Sequence, residues 1–436
     1  MPNIISTPRG MDDTLPEEMK IKRWIEEEIR NCFFLYGYEE IETPTIEFYE
    51  LFEAKSGEEI RERMFVFEDK HKRKMVLRPE MTAPVARLVA TKLKNLPLPI
   101  RLGYIADCYR YDEPQWGRKR RFWHGGFELI GSDKPIADAE ILIISNDVFN
   151  RLNIKNHYFK IGHVGILRSI MEEYKINEKI QDRVLSLMDQ KKYEQAFSLI
   201  KEEVEGDDIR DLIKIIELLL NISGETNEVF KKGYEILSSW PIALKKLENL
   251  EEIINIAIES GVSNAFNVNL AFARGLEYYT GMIFEQYAPD SPLALNGGGR
   301  YDKLISLFGG KDTPAVGCAI GITRLQEYFI SKKIYPKDNK KKSMIAFSIS
   351  EDTIGYLSKI LQDIRKLGIG VKIDISKKKI TSIIEHYSKL GYKYLIIVGP
   401  EEKESKTISL RDLEKKEQIR IKLENLEEYI KEKLFK

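Results

Sequence analysis

One short stretch holds most of the side chains that could do chemistry. In RRFWHGGFELIG, residues 120–131, an extended backbone sends alternate side chains to opposite faces. With the residues just before it, one face carries Arg118, Arg120, Phe122, His124, Gly126 and Glu128. The other carries Lys119, Arg121, Trp123, Gly125, Phe127 and Leu129. The second row is apolar from Trp123 onward, apart from Gly125, and can pack on helices. The first runs cation, cation, aromatic, imidazole, gap, carboxylate. Burying His124 and Glu128 on one face without partners is expensive. A ligand with a polyanionic end, a flat ring and a cationic group fits the row, because arginine forks suit phosphate and a Phe ring suits a base. A hairpin with a solvated charged face has the same spacing, so the strand alone does not choose.

Other segments carry weaker signals. ARGLEYYTG (273–281) sets Arg274 beside Gly275, then Tyr278 and Tyr279 before Gly281. On a strand the two tyrosines point opposite ways, so at most one faces a given pocket. LNGGGRYD (295–302) has three consecutive glycines, where the backbone must turn sharply or approach something closely. LRPEMT (77–82) puts Arg78, Glu80 and Thr82 in alternation at a strand end. A P-loop, a dinucleotide-binding glycine fingerprint and a zincin helix are all missing. The histidines, His71, His124, His157, His163 and His386, have no metal-ligand spacing, and no bound metal is expected.

The elements that position these residues are legible in the pattern. Ile21, Trp24, Ile25 and Ile29 predict an amphipathic helix over 17–37, stopped by Gly37 and followed by a strand-like EEIETPTIEF. A short strand at 75–78 ends at Pro79, and TAPVARLVATKL reads as a helix with Thr82 as N-cap and Pro84 in its first turn. Residues 101–130 predict two long strands, RLGYIADCYRY and RRFWHGGFELIG, joined by EPQWGRK with Pro114 and Gly117 as turn signals. Residues 165–260 are charged and helical, an insertion between strand-rich blocks. PAVGCAIGITRL (314–325) reads as a strand entering a helix. SKKIYPKDNKKKS (331–343) has linker composition, and the strand–helix alternation beyond it predicts a small α/β domain.

Composition narrows the class. The chain has 436 residues, with Lys plus Arg equal to Asp plus Glu at 69 each and 43% hydrophobic residues. That length implies roughly two to four domains. The balanced charge leaves any nucleic-acid binding to local patches. Apolar runs of about seven to nine residues are too short to span a membrane, which takes ~20. The segment MPNIISTPRGMDD shows no basic-then-apolar leader. Cys32, Cys108 and Cys318 are too scattered for a disulfide framework, which fits a cytoplasmic location.

Together these pieces resemble a class II aminoacyl-tRNA synthetase, of the histidyl-tRNA synthetase family. The helix, Gly37 and the strand ending at Pro44 resemble class II motif 1 at the dimer interface. Arg110 with EPQWGR and FWHGGFE resembles motif 2, and GCAIGITRL with Arg324 resembles motif 3. TPRGMDD (7–13), LRPEMTAP (77–84), RGLEYYTG (274–281) and GGGRYD (297–302) resemble the histidine-specific segments. The resemblance covers essentially the whole chain. It implies an α+β fold: an antiparallel catalytic sheet flanked by helices, with an inserted helical domain and a C-terminal α/β anticodon-binding domain. The corresponding boundaries are core residues 1–164 and 261–330, insert 165–260, linker 331–343 and final domain 344–436. It also implies a homodimer acting on L-histidine, ATP with Mg²⁺, and tRNA(His): histidyl-adenylate forms first, then transfers to the terminal ribose hydroxyl.

The same resemblance implies residue roles. Arg110 holds the α-phosphate, Arg118 and Arg324 hold the outer phosphates, Phe122 stacks on adenine, and Asp112 stands where motif 2 often has Glu. Arg274 sits between substrate carboxylate and α-phosphate. Glu80 and Thr82 hold the α-amino group, with Met81 beside the histidine, while Glu128 and the Tyr278/Tyr279 pair read the imidazole. His124 stands where relatives carry Gln. It offers one donor and one acceptor, as Gln does, but is expected to gain a proton near pH 6–7. The alternative is a non-catalytic regulatory paralogue serving a phosphoribosyltransferase of histidine biosynthesis. Such proteins usually lose the reactive arginines and the anticodon-binding domain, whereas this chain keeps Arg110, Arg274, Arg324 and the α/β tail.

Overall fold

In the computed structural model, residues 5–53, 58–203, 208–262, 266–336, 343–376 and 378–434 are described. They fall into two compact units, Met1–Ile334 and Tyr335–Lys436.

A large sheet forms the first unit. Its strands run in the order Glu39–Glu40, Ile100–Tyr109, Arg121–Ile130, Ala315–Gly321, Asn296–Arg300, Met282–Tyr287, Tyr158–His163, Phe266–Asn269 and Ser223–Glu225. From Ile100–Tyr109 to Tyr158–His163 every neighbour is antiparallel. Helix Pro16–Tyr36 closes one face. Ile21, Ile25, Ile29 and Cys32 are buried from it, and Gly37 ends it at φ 70°. Phe127 packs edge-on against Phe33 and Tyr38, and the missing Cβ of Gly125 makes room for Ile29. The row with Trp123 and Phe127 therefore turns to this helix, which leaves Phe122, His124 and Glu128 on the opposite face.

EEIETPTIEF is two strands in two sheets. Glu39–Glu40 runs parallel to Ile100–Tyr109, whereas Ile46–Phe48 pairs with Lys74–Leu77 in a small three-stranded sheet. Pro44 lies between them, where it fixes φ and lacks a donor for the ladder. Helix Thr82–Thr91 begins where the sequence places it, but Thr82 is not its cap. The Glu80 carboxylate accepts from the amides of Thr82 and Ala83, and the Thr82 hydroxyl donates to Glu128 at 3.1 Å. A fixed carboxylate caps the positive helix end better than a hydroxyl does.

Residues 165–260 form helices Glu178–Asp189, Tyr193–Glu203, Asp208–Leu220, Thr226–Leu237 and Pro241–Glu259, following Val164–Glu173. Leu247, Leu250, Ile253 and Ile254 of the longest are fully buried, in the same core as the sheet. The segment therefore shares the first unit's core. Helix Ile322–Lys332 follows strand Ala315–Gly321 directly, and the boundary between the units, at Ile334–Tyr335, lies within the linker-like stretch. Residues 337–342 of that stretch lie outside the described residues.

The second unit holds a five-stranded sheet in the order Gly370–Ile373, Ser343–Ser348, Tyr394–Val398, Thr407–Asp412 and Gln418–Lys422. Helix Ile354–Lys366 covers one face and Ile380–Lys389 the other. Every residue of Tyr394–Val398 is buried, as a central strand covered on both sides must be.

Candidate functional site

A cavity of about 350 Å³ opens on the face of the large sheet away from helix Pro16–Tyr36. Glu80, Met81, Thr82, Arg110, Asp112, Arg118, Phe122, His124, Arg274, Tyr278, Tyr279 and Arg324 all line it. The chain brings them there from five separate stretches. Glu128 lies just below the floor, 1% exposed, where it accepts from Thr82 and from the Tyr301 hydroxyl.

Guanidiniums crowd one end. Arg110 donates to the Pro79 carbonyl at 2.9 Å and lies 5.4 Å from the Phe122 ring centroid. Arg324 donates to the carbonyls of Gly117 and Ala294. Burial, with Arg110, Arg118 and Arg274 facing it, pushes the Arg324 pKa down to about 10. Arg324 stays charged at neutral pH, and the four guanidiniums, opposed near Arg324 by Glu285, leave a positive site that suits a polyphosphate. Arg274 is set differently. Burial opposes its charge, but Tyr279, Glu285 and Asp189 outweigh that and raise its pKa.

The glycine run explains how Arg274 fits. A Cβ on Gly297 would lie 2.7 Å from Nη1 of Arg274, so the guanidinium rests on bare backbone. Gly298 and Gly299 likewise admit the Gly317 and Met282 carbonyls. The run serves close approach rather than a turn. Asp189, from the end of helix Glu178–Asp189, accepts from the Gly275 amide at 2.7 Å and ties the neighbouring peptide.

The opposite end is aromatic and mostly neutral. Tyr278 and Tyr279 both line the cavity, which corrects the expectation that only one does. Residues 273–281 form no strand, so side-chain alternation does not apply, and the rings meet edge-on at 4.9 Å. His124 packs on Phe122 at 4.9 Å. Burial first, then Arg110, Arg324 and Arg274, pushes its pKa down to about 3, which corrects the expectation of protonation near pH 6–7. Glu128 moves the other way: burial raises it to about 8, against the hydrogen bonds from Tyr301 and Thr82. It is therefore mostly protonated at neutral pH, and a cationic ring beside it would pull it back to the carboxylate.

Arg120 does not reach the cavity. Its guanidinium stacks on Tyr111 at 3.8 Å, and its amide donates to the Gly10 carbonyl, because the strand begins only at Arg121 and alternation fails before it. Arg78 is also structural, donating to Thr43 and Asp107. Two lining tyrosines went unnoticed in the sequence. Tyr301 follows the glycine run and caps Glu128. Tyr104, whose ring passes beneath Gly126, has no hydrogen-bond partner for its hydroxyl among the described residues. The bare Cβ position of Gly126, opposite a tyrosine on the paired strand, was the available sign.

This geometry has named relatives. Residues 10–325 match the histidyl-tRNA synthetase family and residues 336–433 the anticodon-binding domain family. The chain belongs to the histidyl-tRNA synthetase family. It is 39% identical to the histidine–tRNA ligase of Methanocaldococcus jannaschii, over 96% of this chain and 98% of that one. The Methanococcus aeolicus histidine–tRNA ligase is 38% identical over 97% of this chain and 99% of its own length. The apo S. aureus histidyl-tRNA synthetase superposes with TM-score 0.73 at 27% identity, covering 98% of this chain and 100% of that one. The fold is that of class II histidyl-tRNA synthetases, and the activity is histidine–tRNA ligation: histidine is activated with ATP and joined to tRNA. Full-length ligase relatives and the matched anticodon-binding domain leave the regulatory-paralogue alternative the weaker one.

Proposed function

We propose that the cavity holds ATP at its arginine end and histidine at its tyrosine end, with their reacting groups meeting at Arg274. One observation carries this reading: Arg110, Arg118 and Arg324 face one another in the cavity, Arg274 stands between them and Tyr279, and Tyr278, Thr82 and, beneath the floor, Glu128 lie beyond it. Adenylation joins two anions, since the histidine carboxylate attacks the α-phosphorus and pyrophosphate leaves. It needs positioned cations more than a proton shuttle. Arg110 and Arg274 lie where the α-phosphate and carboxylate meet. Arg118 and Arg324 take the outer phosphates, Phe122 stacks on adenine with Asp112 at the rim, and Glu80, Met81 and Thr82 face the amino acid.

Glu128 supplies selectivity. A histidine ring N–H adds a third donor to the buried carboxyl already held by Thr82 and Tyr301, and an apolar amino acid forfeits that bond. Neutral His124 stands between the two substrates and does the work of an amide. Mg²⁺ would come with the ATP phosphates, since among the described residues no cluster of three or more Asp, Glu, His or Cys side chains is placed to hold a metal by itself. In the second step the terminal tRNA hydroxyl attacks the adenylate carbonyl and AMP leaves. The tRNA(His) anticodon is assigned to residues 344–436.

A homodimer is part of the proposal. Phe34 is 86% exposed on helix Pro16–Tyr36, and Ile46, Phe48, Val66 and Phe67 are exposed on the small sheet, apolar surface that a second copy would cover. Among the described residues no helix is long and apolar enough to cross a membrane. The location proposed is the cytoplasm, where its tRNA substrate is charged for translation. Histidine-dependent exchange of pyrophosphate into ATP tests the reading, and exchange no faster with histidine than without it would end it.

A further inference from the structure

The loop that carries Arg118 is gripped by one helix. Gln115 and Arg118 pair through their backbones, which makes residues 115–118 a tight turn with Gly117 at φ 70°. Helix Ile322–Lys332 meets this turn with two side chains one helical turn apart. Arg324 Nε donates to the Gly117 carbonyl at 2.9 Å, and the Gly117 amide donates to a Glu327 carboxylate oxygen at 2.6 Å. The other Glu327 oxygen lies 3.3 Å from Nζ of Lys119, which also pairs with Asp12 at 3.3 Å. A Cβ on Gly117 would sit 2.7 Å from Leu293, so the turn is seated as well as tied. Arg324 is committed to the ATP end of the cavity, whereas Glu327 does not line it.

The geometry points to Glu327 as a positioning residue for ATP: by holding the Gly117 amide and Lys119 it fixes the turn that presents Arg118 to the outer phosphates. The placement of Arg118 on those phosphates rests on the proposed function. The physical case is the asymmetry of the grip. Arg324 holds the turn by its carbonyl with a group that a polyphosphate also attracts. When ATP draws the Arg324 guanidinium, the carboxylate remains as the tether from the helix. It is anionic, does not line the cavity, and is held in place by Lys119. An unheld turn must be ordered at each ATP encounter, and that cost falls on ATP binding rather than on histidine.

Glu327→Ala, Glu327→Gln and Glu327→Asp test this. The alanine variant should raise the ATP KM in histidine-dependent pyrophosphate exchange by about tenfold, the worth of one charge-assisted hydrogen bond. The histidine KM and Tm should stay near wild type. Gln still accepts from the Gly117 amide and should restore ATP KM to within about threefold. Asp is one methylene short and should behave like alanine, which also covers the case in which alanine does not fold. A second readout needs no activity: trypsin should cut the Arg118–Arg121 run about fivefold faster in the alanine and aspartate variants than in wild type. Unchanged ATP KM and unchanged cleavage would overturn the inference, as would ATP and histidine KM rising together with a fall in Tm. A wild-type protein without exchange would instead refute the ATP and histidine assignment, and the trypsin comparison would still decide whether Glu327 holds the turn.

Discussion

Gly297 lies in strand Asn296–Arg300 under the Arg274 guanidinium, and alanine there separates folding from chemistry. A new Cβ would lie 2.7 Å from Nη1 and 2.9 Å from Nη2 of Arg274, while ordinary contact begins at 3.4 Å. The guanidinium must therefore move by about 0.7 Å. The displaced group is the far end of a flexible side chain, so the fold yields cheaply. Replacing a strand glycine also returns roughly 0.5–1 kcal/mol of backbone entropy. Catalysis has no such freedom, because a cation misplaced by about 1 Å at a reacting centre can cost on the order of 10²-fold. Gly297→Ala should lower adenylation kcat by about 10- to 100-fold, or roughly 1.4–2.7 kcal/mol of barrier, with Tm unchanged or slightly raised. Pyrophosphate-exchange kinetics and a thermal melt measure both. A kcat within about threefold of wild type would show that the position of Arg274 does not matter, and would remove the electrostatic role argued for it.

Further outcomes follow from the same site. Arg274→Ala should reduce adenylation kcat by at least ~10²-fold, with lysine rescuing only in part because the fork is lost; exchange rates of the two variants decide it. Glu128, raised to about 8 by burial, should stabilise the free protein below the unfolded carboxyl range near 4.5 and lose that contribution as pH rises through about 8. Melting curves from pH 5 to 9 should therefore fall more steeply for wild type than for Glu128→Gln, and parallel curves would contradict the burial argument. With His124 held neutral down to about 3, histidine KM–pH curves for wild type and His124→Gln should superimpose between about pH 6 and 8 while activity is kept; a difference confined to wild type would mean that His124 does titrate. A chain ending at Ile334 keeps its own hydrophobic core and should retain adenylation while tRNA charging weakens; an unchanged tRNA KM in the folded fragment would count against an anticodon role for residues 344–436.

The face of RRFWHGGFELIG was legible because period-two alternation is local. Trp123 and Phe127 had to turn to the helix, so Phe122, His124 and Glu128 had to turn away. The helix stopped by Gly37, the strand running into the helix that carries Arg324, and the α/β tail were legible for the same reason: each is a pattern within a few residues. Where the backbone leaves regular structure the rule fails. Arg120 lies before the strand and stacks on Tyr111, and Tyr278 and Tyr279 lie in a turn and share the cavity. Thr82 looked like a cap because its type suits one, but Glu80 competes for the same amides and wins by charge. The protonation states were beyond the sequence altogether. Burial and arginines from distant stretches of chain hold His124 neutral, and burial, helped by Glu80, drives Glu128 toward neutrality. Tyr104 lines the site, and Glu327 holds the turn beside it, only because tertiary packing sets a paired strand and a helix turn against it. Residue type decided which chemistry was available, and long-range packing decided which groups meet and in what charge state they do so.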